Sequence, residues 1–184
     1  GEIKMLVSAK EMLTKAKAGH YAVGQFNINN LEWTKAILQT AQELNSPVIL
    51  GVSEGAGKYM CGYETIVGMV KGMIKCLNIT VPVALHLDHG SSLELCEASA
   101  KAGYTSVMFD GSGEDFEKNV ELTAKAVLIA NKFGIPTEAE LGKVGGKEDD
   151  HEADADNGTD PKKAAEFVLR TGISSLAVAI GTAH

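Results

Sequence analysis

Apolar residues along the chain alternate between two patterns, short β-rich runs and longer stretches with helical spacing. Ser8-x-x-Glu11 is a capping box, so MLTKAKAG reads as a short helix stopped by Gly19. YAVGQFNI follows as a strand that ends at Asn27-Ile28-Asn29-Asn30. LEWTKAILQTAQEL then places Trp33, Ile37, Leu38, Ala41 and Leu44 on one broad helical face. Pro47 opens the strand VILGVS, which ends at Ser53-Glu54-Gly55. A Met-rich helical stretch covers residues 60–77, with Met60, Met69 and Met73 read as packing. A third strand spans 81–89, and Ser91-x-x-Glu94 caps the helix LELCEASAKAG, closed by Gly103. TSVMFDGS is a fourth strand ending in Asp110-Gly111, and residues 115–133 form an amphipathic helix terminated by Gly134. IPTEAELG is a fifth strand. After the polar loop 142–160, Asp160-Pro161 starts the helix KKAAEFVLRTG, and SLAVAIGTAH supplies a sixth strand ending at His184.

Strand and helix therefore alternate without an intervening linker. VPVAL and SLAVAI are apolar on both faces, as parallel strands covered by helices should be. A doubly wound open sheet fits the length, but no GxGxxG follows the first strand, and polar residues finish nearly every strand rather than one switch point. The pattern favours an α/β fold of the (β/α)8 TIM-barrel type, which takes about 250 residues. This chain would carry about the first six βα units as a single domain over residues 1–184. Six strands leave two unpaired edges. The chain is accordingly expected to be incomplete, with a missing C-terminal segment needed to close the barrel.

Composition narrows the partners. The 184 residues are 45% apolar, enough for one sizeable core. A net charge of −7 without a basic cluster argues against nucleic acid. No apolar run approaches the roughly 20 residues of a membrane helix. Cys61, Cys76 and Cys96 have unrelated spacings and read as reduced thiols of a cytoplasmic protein. Arg170 is the single arginine, so a phosphate would be held mainly by backbone N–H groups, helix N-termini, hydroxyls and lysines.

The third strand carries the chemistry. Its apolar run ends in His86-Leu87-Asp88-His89-Gly90, and ionisable groups are costly to bury, so the strand is expected to run out into a polar site. Strict alternation puts His86 and Asp88 on one face and His89 on the other, at the rim. The other strand ends add Asn27, Ser53, Asp110, Glu138, Glu140 and His184. Chance would scatter such residues over both ends of the strands. His89 and His184 suit a catalytic metal with three protein ligands, the third coming from Asp110, Glu140 or a segment beyond residue 184. Glu138 and Glu140 share a face, where two carboxylates repel unless a cation or proton intervenes. The loop 142–160 is long enough to be a lid, with Gly142, Gly145 and Gly146 at its base. Residues 149–157 read as a solvated charge run, Glu148 is the loop residue assigned to the site, and His20 and His151 are assigned to solvent.

The segments YAVGQFNINNLEW, PVILGVSEGA, VALHLDHGSS, TSVMFDGS, EAELGKVGGKEDD and SLAVAIGTAH resemble, in order, the class II metal-dependent fructose-bisphosphate aldolases. The resemblance implies a (β/α)8 barrel, a zinc ion, and reversible cleavage of fructose 1,6-bisphosphate to dihydroxyacetone phosphate and glyceraldehyde 3-phosphate. It implies His89 and His184 as two of three zinc ligands, Asp88 as the acid/base at the C4 hydroxyl, and Glu148 as the group exchanging the proton on the dihydroxyacetone carbon. Asp110 and Glu140 match a second metal site, Ser53 a substrate contact, and Asn27 is assigned to substrate with it. A monovalent cation is compatible, and a homodimer is expected of the complete protein. The family's third zinc histidine and its phosphate loops lie beyond residue 184, and DGSGEDFEKN lacks the histidine usual after the fourth-strand aspartate. IGTAH also resembles tagatose-bisphosphate aldolases, so tagatose 1,6-bisphosphate is the alternative substrate. An inactive fragment lacking the third zinc ligand is the alternative from another class.

Overall fold

The computed structural model describes residues 6–142, 146–148, 151–153 and 158–182. Its elements in order are α1 (Ala9–Gly19), β1 (Gly24–Asn27), α2 (Leu31–Glu43), β2 (Val48–Val52), α3 (Glu54–Tyr59), α4 (Tyr63–Cys76), β3 (Val83–Gly90), α5 (Leu93–Ala102), β4 (Ser106–Phe109), α6 (Phe116–Lys132), β5 (Thr137–Leu141), β6 (Gly146–Glu148), β7 (His151–Ala153), α7 (Pro161–Thr171) and β8 (Ser175–Val178). Six strands form one parallel sheet in the order β1-β2-β3-β4-β5-β8. Consecutive strands lie side by side, as in the first part of a (β/α) barrel.

The sheet is curled. Neighbouring strands are about 4.8 Å apart, so β1 and β3 would sit about 9.6 Å apart in a flat sheet. Yet Gln25 on β1 reaches Asp88 on β3, and His86 on β3 reaches Glu138 on β5, each across an intervening strand. The concave face therefore carries Gln25, His86, Asp88 and Glu138. The convex face carries Leu50, Val52, Leu85, Leu87, Val107 and Phe109, which pack with Leu38, Ile66, Val70 and Ala126 of the covering helices. Each such fully buried aliphatic side chain contributes about 1.5–3 kcal/mol. Helix α1 closes the other end of the concave face, where Ala9 and Met12 pack on Ile49 and Ala84, and Val7 N–H donates to the Val83 carbonyl at 2.9 Å. With its floor plugged by apolar side chains, the concave face is left to open at the carboxyl ends of the strands.

Several local expectations change. The buried face of α2 is Thr34, Leu38 and Ala41, while Trp33 is 52% and Leu44 69% exposed. Among the described residues β1 is an edge strand, so the flank of α2 beyond it has nothing to pack on. The helix expected over 60–77 is present as α4, shortened at its start, and the short α3 before it was not expected. Cys61 and Gly62 adopt left-handed backbone (φ 66° and 103°), which ends α3 and starts α4 afresh. Ser92, not Ser91, caps α5, because β3 runs on through Gly90 and the Ser92 hydroxyl accepts from Leu95 N–H. Within the loop 142–160, β6 and β7 pair antiparallel with Glu148 opposite His151. His20 is exposed, as assigned, and caps α1 in left-handed conformation. Among the described residues no helix is long and apolar enough to cross a membrane.

Candidate active site at the carboxyl ends of the strands

Asp88 and His86 stand on the concave face of β3, 5% and 1% exposed. The Gln25 amide donates to Asp88 Oδ1 at 3.1 Å. His86 Nδ1 meets the Ser106 hydroxyl at 2.8 Å, and its Nε2 faces Glu138 Oε2 at 3.6 Å. Burial, reinforced by the charge of His89, drives the His86 imidazole down to about 3, so it is neutral. His86 is thus a neutral histidine beneath the site, hydrogen-bonded at Nδ1 to Ser106 of β4, while its buried Nε2 makes no hydrogen bond among the described residues.

His89 does not follow the alternation expected of it. The β3–β4 register shifts between Leu87 and Gly90, and His89 takes left-handed backbone (φ 47°). Such a conformation is uncommon outside glycine and marks local strain. Its cause is visible in Gly90, where a Cβ would come within 2.7 Å of the Met108 carbonyl and 2.8 Å of Leu87 Cδ2. The missing side chain lets β3 press against β4. Ser91 N–H is then held by Glu54 Oε1 at 2.8 Å. The kink turns the His89 ring towards β4 and β5, where Nδ1 lies 2.8 Å from Asp110 Oδ2 and 3.8 Å from Glu140 Oε2.

His89, Asp110 and Glu140 form a cluster whose ligand atoms all lie within 4.8 Å of one another. An imidazole with two carboxylates is a donor set suited to zinc or a harder divalent ion, and ligand bonds of about 2.0–2.2 Å would draw these atoms only slightly inward. The electrostatics fit a cation site. Burial disfavours charge on His89, but the Asp110 hydrogen bond and the charges of Asp88, Asp110 and Glu140 outweigh it and raise the imidazole to about 9. Burial likewise opposes ionisation of Asp110, yet hydrogen bonds from His89 and Ser112 bring it to about 2. Glu138, largely desolvated though only partly buried and beside the charges of Asp88 and Glu140, is raised to about 7. A proton between His89 and Asp110 thus sits where the same side chains could hold a divalent ion.

Glu140 is placed by its backbone, since Asn119 of α6 donates from Nδ2 to the Glu140 carbonyl at 2.9 Å. Asp110 N–H donates to the Gly90 carbonyl at 3.0 Å, fixing the β4 end to the kink. Asn27 ends β1 beside Gly51, and Ser53 ends β2, where its hydroxyl accepts from Ala56 N–H at 3.2 Å as the cap of α3. The structure thus brings Asp88, His89, Asp110, Glu138 and Glu140 into one group, with Asn27 and Ser53 on the adjoining strand ends. His184 lies outside the described residues, as do the side chains of Glu148 and His151 and most of the charge run 149–157. Sequence reasoning passed over Gln25, Ser106 and Glu54. Gln25 was within reach, being two residues before Asn27 and so on the same strand face.

The chain matches the family model "Fructose-bisphosphate aldolase class-II" over residues 7–184. It is 59% identical over 179 residues to a fructose-bisphosphate aldolase of Geobacillus stearothermophilus, covering 97% of this chain and 62% of that protein. A fructose-bisphosphate aldolase of Staphylococcus aureus (strain N315) is likewise 59% identical, with 97% and 63% covered. Among solved structures, the YdjI aldolase of Escherichia coli K12 superposes with a TM-score of 0.81 at 39% identity, over 96% of this chain and 61% of that one. Fructose-bisphosphate aldolase (Fba) of Campylobacter jejuni superposes with a TM-score of 0.80 at 26% identity, over 97% and 59%. The chain thus spans about three-fifths of the length of the relatives it matches. It belongs to the class II fructose-bisphosphate aldolase family, with the fold of the first six strands of its barrel.

Proposed function

We propose that the complete polypeptide carrying this sequence reversibly cleaves fructose 1,6-bisphosphate into dihydroxyacetone phosphate and glyceraldehyde 3-phosphate. The observation that carries the reading is the meeting of Asp88, His89, Asp110 and Glu140 at one end of a parallel sheet in a chain of this family. His89 and His184, with a third ligand from beyond residue 184, would hold zinc, and Asp110 with Glu140 would hold a second divalent ion. Zinc, when bound, supplies Lewis-acid stabilisation of the negative charge that develops as the carbon–carbon bond breaks.

The protein's own groups divide the proton work. Asp88 accepts the C4 hydroxyl proton as the C3–C4 bond breaks, and Glu148 returns a proton to the dihydroxyacetone carbon. Asp88 suits its part because it is buried at the site floor and held by the Gln25 amide. Its charge is also felt by His89 and Glu138, which places it within the same electrostatic cluster. Ser53 and Asn27 would contact substrate from the adjoining strand ends. The β6–β7 pair that carries Glu148 would close over the site and limit access of water. Free thiols at Cys61, Cys76 and Cys96 support a reducing, cytoplasmic setting.

Turnover of fructose 1,6-bisphosphate and of tagatose 1,6-bisphosphate by the zinc-loaded complete polypeptide tests this reading. Faster cleavage of the fructose isomer is expected. A preference for the tagatose isomer, or turnover of neither, would overturn it.

A further inference from the structure

We propose that Gln25 is a positioning residue for the cleavage step, holding the Asp88 carboxylate in the orientation that receives the C4 hydroxyl proton. This rests on the reading of Asp88 given above and goes beyond it, to a residue on another strand. Gln25 Nε2 lies 3.1 Å from Asp88 Oδ1. An ionised carboxylate only accepts hydrogen bonds, so the amide must present its NH2 end to it. Engaging one oxygen fixes the plane of the carboxylate and directs the second oxygen's lone pairs.

The contact requires a specific neighbour. Gln25 and Asp88 stand on β1 and β3, separated by β2, about 9.6 Å between strand axes in a flat sheet. On β2 the position between them is Gly51, paired with Asn27 on one side and with His86 on the other. A Cβ at Gly51 would lie 2.9 Å from Asn27 Oδ1, 3.3 Å from Gln25 Nε2 and 3.4 Å from Gln25 Cγ. The glycine leaves the gap through which the glutamine side chain crosses. Gln25 and Gly51 thus form a pair, a long amide on one strand and no side chain on the next. Gln25 is itself largely solvent-facing, so apolar packing does not account for its placement.

The division of proton work gives a readout that a merely structural role would not move. Gln25→Met preserves length without a donor, and Gln25→Ala, read in the same way, removes the side chain. Both are made in the complete, zinc-loaded polypeptide. Hydrogen bonds to charged groups imply a fall in kcat for fructose 1,6-bisphosphate cleavage of about 10- to 100-fold. KM should stay within about twofold, as expected for an interaction expressed in the transition state. Bound zinc, thermal midpoint and proton exchange on dihydroxyacetone phosphate, which uses Glu148, should be unchanged. Unaltered cleavage would overturn the proposal, as would parallel loss of cleavage and exchange. Asp88→Ala measured alongside separates the two levels. If it leaves cleavage intact, the reading of Asp88 fails. If it abolishes cleavage while Gln25→Met has no effect, only the positioning role fails.

Discussion

His89 Nδ1 lies 2.8 Å from Asp110 Oδ2, a contact made possible by a break in the regular geometry of β3. Asp110, Glu140 and Asp88 together hold the His89 imidazole up at about 9 despite its burial. A metal ligand must be deprotonated, so zinc has to displace this proton. Zinc affinity of the metal-free protein should therefore rise about tenfold per pH unit from pH 7 and level off near pH 9. Asp110→Asn should flatten the slope by removing the hydrogen bond that favours the imidazolium. Calorimetric zinc titration at a series of pH values checks both, and a pH-independent affinity would detach His89 from the metal.

Asp88→Ala in the complete enzyme should abolish detectable cleavage while bound zinc stays near stoichiometric. Turnover assays paired with metal analysis make the check. Loss of zinc in this variant would make Asp88 a ligand and not the acid/base.

Glu148→Ala should slow proton exchange on dihydroxyacetone phosphate by about 100-fold or more, the scale of general acid–base catalysis. Zinc content should not change. Isotope exchange followed by NMR reads this directly, and unaltered exchange would remove the β6–β7 pair from the mechanism.

Gly90→Ala forces a Cβ to within 2.7 Å of the Met108 carbonyl, and backbone cannot give way cheaply. The expected cost is about 1–3 kcal/mol, with displacement of the His89 kink. Thermal midpoint and zinc affinity should both fall. Gly113→Ala, where nothing lies within 4 Å, serves as the control and should change neither.

The stability of the metal-free protein should be greatest between about pH 4.5 and 6.5. His86, lowered from 6.5 to about 3 by burial and by His89, contributes stability that is lost as pH falls below 6.5. Glu138, raised from 4.5 to about 7 chiefly by burial, contributes stability lost as pH rises from 4.5 to 7. Across pH 4.5–6.5 these two opposing slopes cancel. Below this window, Asp110, depressed to about 2 by its hydrogen bonds against the pull of burial, joins His86 in losing stability. Above it, His89, raised to about 9 despite burial, adds its own loss to that of Glu138. Urea unfolding of the zinc-free protein as a function of pH tests this, and stability increasing from pH 7 to 9 would contradict it.

The barrel was legible because alternating strand and helix patterns are set by local spacing, and polar strand ends announce a site at one rim. Asp110, Glu138 and Glu140 needed no more than that, since β4 and β5 are regular. His89 was misplaced because strict alternation assumes an unbroken pleat, although the glycine after it is itself a bulge signal. Trp33 was assigned to a face that proved open, since helical period does not report which flank borders a sheet edge. Gln25 was overlooked because a neutral amide on an exposed strand position looks like surface until the strand two places away is known. The helix expected from residue 60 begins only at Tyr63, because the positive φ of Cys61 and Gly62 separates it from α3, whose six residues are too few to show an apolar period.

Zinc-edge anomalous diffraction from crystals of the complete polypeptide tests the central claim most directly. A peak within about 2.0–2.1 Å of a His89 ring nitrogen, shared with His184, is the expected result. Zinc bound elsewhere, or the rings of His89 and His184 turned to opposite ends of the barrel, would contradict it.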